Sequence, residues 1–451
     1  MSHERFHYKS LAEVKEKASE LGVSLPFAED TTILAQPLKV RDITFPNRLG
    51  IAPMESADST PAGAPSDYTI RRYVNEAIGG SSVIWFEAIS IVEEGRSSKT
   101  QLLLTRDTLD EFKKMTSAVK EAGLKANGYA PYLIMQANHS GRYSNPDNKP
   151  APMIAYRHPI LEQYRAADDS CIVTDDYLKS LEEKFGEASA LAKEAGFDAI
   201  DIKSCHGYLL AELSSAYNRP GEYGGCFENR FRLLKNGIRA AKVHEDESFM
   251  VTARVGIYDG YAYPWGFGVS PESGETPDLT EPVRLVRELH DELGLDMVNL
   301  TMGNPYATTH VTRPFDFGKY EPDEHPFVGL SRMIHGIGEV KKAVPAMTVW
   351  ASAPSYLRAY ADLFTAGAVE QGLCDGMLFG RMAFADPDFA NEIVKKGRID
   401  PNRVCLTCGK CGDLIRAHKP TGCVIRDNKT FMPFYKEFLE IKKTQPANFR
   451  G

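Results

Sequence analysis

The sequence predicts a (β/α)8 barrel, an α/β fold in which eight parallel strands alternate with helices and close into a ring. From about residue 37 onward, eight short apolar runs alternate with loops and with stretches of helical spacing. This alternation fits a closed barrel, which needs roughly 250 residues or more, better than an open doubly wound sheet. In addition, no Gly-x-Gly-x-x-Gly pattern follows the first run, as an open dinucleotide-binding sheet would require.

Each predicted strand is an apolar run of four to seven residues that ends at a loop. The eight runs cover residues 49–52, 82–88, 132–136, 199–203, 249–254, 297–301, 347–351 and 376–380. Apolar residues at helical spacing predict helices over residues 109–121, 177–195, 228–242, 281–293, 355–366 and 388–396.

Two further segments flank the predicted barrel. Near the N-terminus, Leu11, Val14, Ala18 and Leu21 have helical spacing before Pro26, which predicts a lead-in helix on the outside of the barrel, with a mobile tail as the alternative. The predicted organisation is an N-terminal lead-in segment (1–35), the barrel (36–400) and a C-terminal cysteine-cluster tail (401–451).

Composition excludes several classes of partner. The chain has 451 residues, of which 43% are hydrophobic and 25% are charged, so it can bury a large core. Its formal net charge of -8 and the lack of a basic stripe argue against nucleic acid. No run reaches the ~18 apolar residues of a membrane helix, and the first residues lack the apolar centre of a signal peptide. We therefore expect a cytoplasmic protein without a membrane partner.

The fourth predicted strand ends abruptly in polar, titratable side chains. Lys203, His206 and Tyr208 directly follow the apolar run of residues 197–202. Such residues at the end of a buried strand indicate a ligand site. The alternative is structural: the Lys203 ammonium would reach solvent and His206 would be a hydrogen-bonded core residue.

Polar residues also follow five other predicted strands. In a (β/α)8 barrel all strands end at the same face, and active sites are built there. These residues are Glu55 after Pro53-Met54, Glu87 before Ala88, Gln136 with His139, Arg142 and Tyr143, Arg254, and Arg381 after Gly380. Packing alone does not account for polar groups at six of eight strand ends, so we expect them to surround one active site.

The last predicted segment contains four of the eight cysteines. Cys405, Cys408, Cys411 and Cys423 are separated by two, two and eleven residues. In a large protein from a reducing compartment, this spacing indicates a metal site rather than disulfides. Four thiolates bind either a four-iron cluster or a zinc ion, and the spacing does not separate the two.

Several motifs, in order, resemble the Old Yellow Enzyme family of flavin mononucleotide (FMN) oxidoreductases over about residues 36–400. They are Pro46-Asn47-Arg48-Leu49 with Ala52-Pro53-Met54, Gln136 with His139-Ser140-Gly141-Arg142-Tyr143, Cys205-His206-Gly207-Tyr208-Leu209-Leu210, Tyr223-Gly224-Gly225 with Glu228-Asn229-Arg230, and Phe379-Gly380-Arg381 with Ala385-Asp386-Pro387. The cysteines and Arg142-Tyr143 most resemble the flavin and iron–sulfur module of the 2,4-dienoyl-CoA reductase and trimethylamine dehydrogenase branch. That resemblance favours a [4Fe-4S] cluster over zinc.

The resemblance implies an FMN site and a nicotinamide reductant, NADH or NADPH. Gln136 and Arg254 would hold the pyrimidine edge of the flavin, where negative charge develops on reduction. Gly380 and Arg381 would hold its phosphate, with backbone amides near Ser352 and Ala353, although the family's usual glycine is missing there. The full set of implied FMN contacts is Ala52, Pro53, Met54, Ala88, Gln136, Arg254, Ser352, Ala353, Gly380 and Arg381.

The implied catalytic residues are Lys203, His206 and a tyrosine. Lys203 and His206 would hold a carbonyl oxygen, although many family members have histidine at the position of Lys203. Tyr143 matches the proton donor of the dienoyl-CoA branch and Tyr208 that of simpler ene-reductases; Tyr143 is preferred because the cysteine motif is shared. Glu55 is unusual so near the flavin: it would tune Lys203, contact the substrate or form a salt bridge, and the salt bridge is the simplest interpretation.

The sequence thus predicts an NAD(P)H-dependent ene-reductase that reduces a C=C bond conjugated to a carbonyl group. An enone, enoate, enoyl-CoA, flavonoid or steroid would be the small-molecule substrate, and anaerobic bacterial metabolism the setting. Two alternatives remain: an amine (C–N) dehydrogenase, and a non-catalytic electron-transfer or redox-sensing flavoprotein. A homo-oligomer also remains open.

Overall fold

The computed structural model describes residues 3–272, 276–318 and 320–444 of the chain. Its strands are β1 (Leu38–Val40), β2 (Ile43–Phe45), β3 (Leu49–Ile51), β4 (Val83–Ser90), β5 (Tyr132–Asn138), β6 (Ala199–Ser204), β7 (Met250–Gly256), β8 (Met297–Thr301), β9 (Thr348–Ser352) and β10 (Gly376–Phe379). Strands β3 to β10 are parallel and close into a barrel, because β10 pairs with both β9 and β3. The predicted (β/α)8 fold is confirmed, and each predicted run overlaps one barrel strand.

The α-helices surround the barrel and extend its C-terminal end. They are α1 (Leu11–Glu20), α2 (Asp67–Ile78), α3 (Leu109–Asn127), α4 (Pro159–Glu162), α5 (Asp175–Glu194), α6 (Leu209–Ser214), α7 (Phe227–Arg230), α8 (Arg232–Lys242), α9 (Thr280–Asp291), α10 (Thr309–Thr312), α11 (Pro326–Ala343), α12 (Ala361–Glu370), α13 (Arg381–Ala385), α14 (Phe389–Lys396), α15 (Lys410–Arg416) and α16 (Asn428–Thr444). No described helix is both long enough and apolar enough to span a membrane.

The barrel strands are apolar along their whole length because both of their faces are covered. All eight residues of β4 are buried, as expected for a parallel strand between a packed interior and a helical layer. Inside the barrel, Trp85 and Trp350 pack with Met297, and the Trp350 indole N–H lies 3.2 Å from the Met297 sulfur. The interior is therefore filled with side chains on the N-terminal side, and open space remains at the C-terminal face.

The sequence did not predict the β1–β2 hairpin that closes the N-terminal end of the barrel. The Phe45 ring lies 5.8 Å from the Trp350 ring and 5.3 Å from the Tyr132 ring, both edge-on. Each hairpin strand has only three residues, which is shorter than any run that hydrophobic periodicity can identify.

Several helices differ from the prediction. Among the longer ones, α2, α11 and α16 were missed, although Ser66 forms a capping box before α2 and Pro326 begins α11. The helix predicted over residues 355–366 is instead a 3₁₀ segment, Pro354–Tyr360, followed by α12. Arg358 accounts for the break, because its φ of 52° is incompatible with a right-handed helix.

The terminal segments pack on the barrel. Helix α1 buries Val14 and Ala18, and the Phe6 amide donates a hydrogen bond of 2.8 Å to the Asp316 carboxylate. The predicted lead-in helix is confirmed and is anchored rather than mobile. At the other end, Leu414, Val424 and Phe431 form a small core that joins α15 to α16.

Candidate active site

A cavity of about 240 Å³ lies at the C-terminal face of the barrel; we call it the main cavity. Its walls are the ends of the barrel strands together with the loop that follows β8 and the segment around α15. All ten residues implied as FMN contacts line it: Ala52, Pro53, Met54, Ala88, Gln136, Arg254, Ser352, Ala353, Gly380 and Arg381. Lys203, His206 and Tyr208 line it as well. The barrel thus brings residues that are far apart in sequence to one wall.

Gln136 is held in one orientation by the barrel interior. Its amide Nε2 donates to the Asp201 carboxylate at 2.6 Å, and the Trp85 indole N–H donates to the same oxygen at 2.7 Å. Because the NH₂ group is bound to Asp201, the carbonyl oxygen of Gln136 is left to accept a hydrogen bond from a ligand. A flavin ring N–H is a donor of the required kind.

Arg254 and Arg381 each keep one buried N–H group without a protein acceptor among the described residues. The unpaired groups are Nε of Arg254 and Nη1 of Arg381, whereas Nη2 of Arg381 donates to the Pro314 carbonyl at 2.6 Å. Buried donors without partners are rare in native proteins, so such groups point to a bound acceptor. The Gln136 carbonyl oxygen as an acceptor, two spare guanidinium donors and the apolar Ala52 and Met54 fit a flavin mononucleotide.

Lys203 lies at the end of β6 and is almost completely buried, at 5% exposure. Burial lowers the pKa of Lys203 to about 8, and the nearby Arg254 lowers it further while Cys205 and Glu55 raise it. Its ammonium lies 3.9 Å above the centre of the Tyr208 ring. No described carboxylate lies within 4 Å of it, so Lys203 is available to a ligand oxygen in the main cavity.

His206 is a neutral hydrogen-bonding group. Burial, together with the charges of Arg254 and Lys203, lowers its pKa well below the ordinary histidine value. Its φ of 67° places it in a left-handed turn, and its Nε2 lies 3.5 Å from the Thr301 hydroxyl. Gly207 has a φ of 70°, which favours glycine, and a Cβ there would also lie 1.9 Å from the side-chain nitrogen of Asn304.

Glu55 lines the same cavity as Lys203 but forms no ion pair within the described residues. Its partner is the Ser97 hydroxyl, which donates a hydrogen bond to the carboxyl group. Burial raises the pKa of Glu55, while the Ser97 hydrogen bond and the charge of Lys203 lower it. Glu55 therefore forms a hydrogen bond with Ser97 in place of the predicted salt bridge. The charge of Lys203, which is farther away, still lowers its pKa.

Two tyrosine hydroxyl groups meet at the cavity wall. The hydroxyls of Tyr208 and Tyr306 are 2.8 Å apart, and both residues line the main cavity. Tyr143 does not line it: its ring stacks against Tyr306 at 3.7 Å, and its hydroxyl accepts a hydrogen bond of 3.2 Å from Asn304. Burial raises the pKa of all three phenols, which keeps them protonated at neutral pH.

Sequence reasoning missed Tyr306 and Arg313, both in the loop after β8. That strand was one of the two whose end carried no recognised polar residue, because Tyr306 comes five residues after Thr301. A signal was present in Gly303-Asn304-Pro305, since such residues mark a turn that can aim the next side chain.

The four clustered cysteines line a second, smaller cavity, the cysteine cavity. The Thr407 amide donates to the Cys405 sulfur and the Arg426 amide to the Cys423 sulfur, both at 3.3 Å. All four are free thiols, and burial, together with the proximity of Cys411, raises the pKa of Cys405 and of Cys423. Among the described residues, however, no three or more His, Cys, Asp and Glu side chains are arranged to hold a metal ion.

Comparison with known proteins shows to which family the chain is similar. A family model described as the NADH:flavin oxidoreductase / NADH oxidase family matches residues 33–267. The NADPH dehydrogenase of Bacillus velezensis is 33% identical over 213 residues, which cover 46% of this chain and 60% of that protein. The chain therefore spans less than two thirds of this relative's length.

Solved structures share the fold. A 2-naphthoyl-CoA reductase in complex with 2-naphthoyl-CoA matches with a TM-score of 0.72 and 18% identity, over 90% of this chain and 58% of that chain. Histamine dehydrogenase from Rhizobium sp. 4-9 matches with a TM-score of 0.65 and 19% identity, over 87% of this chain and 52% of that chain. At such low identity these similarities describe the architecture alone.

Proposed function

Because the chain belongs to the NADH:flavin oxidoreductase / NADH oxidase family, we propose that it takes hydride from NADH or NADPH and reduces a C=C bond conjugated to a carbonyl group. One observation carries the proposal: Lys203, His206 and Tyr208 line the same cavity as the ten residues implied as FMN contacts. Two groups for an oxygen and one phenol for a proton are the set that such a reduction needs.

Bound FMN supplies the hydride. The Gln136 carbonyl and the spare N–H of Arg254 bind its pyrimidine edge, and the spare N–H of Arg381 binds its phosphate. Gln136 and Arg381 are oriented before the cofactor binds, by Asp201 and by the Pro314 carbonyl respectively. The Arg254 N–H is the donor that would stabilise the negative charge developing at the pyrimidine edge.

Lys203 and His206 bind the substrate carbonyl oxygen. As hydride reaches the β-carbon, negative charge develops on that oxygen, and the Lys203 ammonium and the neutral His206 ring N–H stabilise it. Tyr208 then gives its proton to the α-carbon. We assign this role to Tyr208 because its ring lies beside the Lys203 ammonium and its hydroxyl contacts that of Tyr306, which is placed to return a proton. The role of Tyr143 as proton donor stays a prediction, which the phenylalanine variants of Tyr143 and Tyr208 test.

The charge of the cavity argues against the amine dehydrogenase alternative. Lys203, Arg254, Arg313, Arg381 and Arg416 line the main cavity, whereas Glu55 is the carboxylate in its lining. FMN accounts for Arg254 and Arg381, and Asp413 pairs with Arg416; the Lys203 ammonium, which lies beside Tyr208, would still repel a protonated amine. The fold shared with histamine dehydrogenase does not change this reasoning, because fold alone does not define substrate.

An amine panel tests that argument. When histamine, trimethylamine or another amine is the sole reductant under anaerobic conditions, we expect the flavin to stay oxidised and its absorbance to stay unchanged. NADH or NADPH should instead reduce the flavin and bleach its absorbance. Rapid bleaching by an amine without nicotinamide would instead identify an amine dehydrogenase. Flavin reduction by nicotinamide with no turnover of any unsaturated carbonyl would favour the electron-transfer alternative.

We also propose that the four cysteines hold a [4Fe-4S] cluster. The four cysteines line one cavity and supply the four thiolate ligands that such a cluster requires, and the resemblance to the dienoyl-CoA branch favours iron over zinc. The amide N–H groups directed at Cys405 and Cys423 stabilise thiolate ligands.

Cofactor analysis of purified protein tests both centres. We expect denaturation to release flavin mononucleotide, and anaerobically prepared protein to contain about four iron atoms per chain with broad absorbance near ~400 nm. Release of the dinucleotide flavin would contradict the FMN assignment. One zinc ion and no iron would reverse the assignment of the cysteine site.

A further inference from the structure

The main cavity and the cysteine cavity share one wall. Arg381, Phe384, Gly409 and Cys411 line both of them. Arg313 also lies in this region: it lines the main cavity, and its Nη2 is 3.7 Å from the position that a Cβ on Gly412 would occupy. The Arg313 guanidinium therefore lies beside Gly412, which directly follows Cys411, a cysteine implied as a ligand.

Arg313 has no carboxylate within ion-pair distance in the part of the chain that the structure describes. Arg416 provides a direct contrast, because it reaches the same glycine but pairs with Asp413 at 2.6 Å and is 35% exposed. Burial lowers the pKa of Arg313 to about 10, and the charge of Arg381 lowers it further, whereas Cys411 raises it. Arg313 is therefore a cation at neutral pH, and thiolates at Cys411 and Cys405 would favour its charged form.

Arg313 is only partly exposed and has no carboxylate partner among the described residues, so an anion bound beside it would stabilise its charge. Four thiolates around a cluster supply such an anion, and reduction by one electron increases its negative charge by one unit. We propose that Arg313 is an electrostatic positioning residue for the cysteine-bound centre: it stabilises the thiolate ligands and favours the reduced, more negative state. This inference rests on the cluster assignment made under the proposed function.

The test compares three variants of the full chain, Arg313→Gln, Arg313→Lys and Arg416→Gln. Each is prepared anaerobically, its iron content is measured, and it is titrated with dithionite, which supplies the electron, while the reduced centre is followed by electron paramagnetic resonance. We expect Arg313→Gln to retain iron and to become harder to reduce by about tenfold, equivalent to ~59 mV for one electron. Arg313→Lys should change much less, and Arg416→Gln should match the wild type because Asp413 already neutralises that arginine.

The outcomes separate this inference from the proposal beneath it. Wild-type protein without iron overturns the cluster assignment and this inference with it. Iron-containing Arg313→Gln protein with an unchanged potential overturns this inference alone, and if it has also lost its flavin, the anion that Arg313 serves is the FMN phosphate. If Arg313→Gln loses iron, Arg313→Lys decides: retained iron supports a requirement for charge, and lost iron shows that the arginine acts through its shape.

Discussion

Replacing Tyr208 with phenylalanine is expected to slow reoxidation of the reduced flavin by an unsaturated carbonyl by roughly 10²–10⁴-fold, the usual contribution of a placed general acid. Flavin reduction by nicotinamide precedes the proton transfer, so its rate should not change. Binding of the substrate should also stay close to normal, because the groups proposed to hold its oxygen, Lys203 and His206, are unchanged. Anaerobic stopped-flow measurement of the two half-reactions separates these steps.

Tyr306→Phe and Tyr143→Phe are the matched controls, since each also removes a single buried hydroxyl group. Tyr306 contacts Tyr208, so its variant should slow reoxidation by less than the Tyr208 variant. Tyr143→Phe should remain near the wild type, because its hydroxyl contacts Asn304 and the residue does not line the cavity. A large loss in Tyr143→Phe with a normal Tyr208→Phe would move the donor role to Tyr143. If none of the three loses activity, the proton comes from His206 or from solvent.

The barrel and most of the cavity wall were predictable because both depend on local patterns. A buried parallel strand is an uninterrupted apolar run, and a closed barrel places the end of every such run at one face. Gln136, Lys203 and Arg254 therefore meet at the main cavity although 118 positions separate the first and last of them, from 136 to 254. Neither their partners nor their protonation could be inferred in this way, since Asp201 and Trp85 orient Gln136 through tertiary contacts.

Loop residues were harder to predict because no periodicity describes them. Tyr306 and Arg313 reach the cavity from the long loop after β8, whose path is determined by contacts such as Asn304 with Tyr143. For the same reason, the sequence alone did not show which of Tyr143 and Tyr208 is the better candidate for the proton donor. The two residues belong to neighbouring strand ends, but Tyr306 lies stacked on Tyr143 and takes its place at the cavity wall.

Lys203 is expected to make the rate of substrate reduction depend on pH near its pKa of about 8. A lysine with a lowered pKa is an ammonium below that pH and a neutral amine above it. Only the ammonium provides a full positive charge for the developing oxyanion, so the reoxidation rate should be constant at lower pH and should fall as the pH rises through about 8. Lys203→Met should lose roughly 10²–10³-fold at pH 7, as is usual when an oxyanion donor is removed, and its profile should be flat across this range.

The Glu55→Gln variant tests whether titration of Lys203 causes this pH dependence of the reoxidation rate. The Glu55 carboxylate raises the pKa of Lys203, and glutamine retains a similar shape and can still accept the Ser97 hydrogen bond. The fall in reoxidation rate should therefore shift to lower pH in Glu55→Gln, with bound flavin retained as judged by its absorbance. A profile that keeps the same midpoint in Glu55→Gln and persists in Lys203→Met would assign the titration to another group. An unchanged rate in Lys203→Met at every pH would make the end of β6 a structural element, and the carbonyl oxygen would then be held by His206 without a cation.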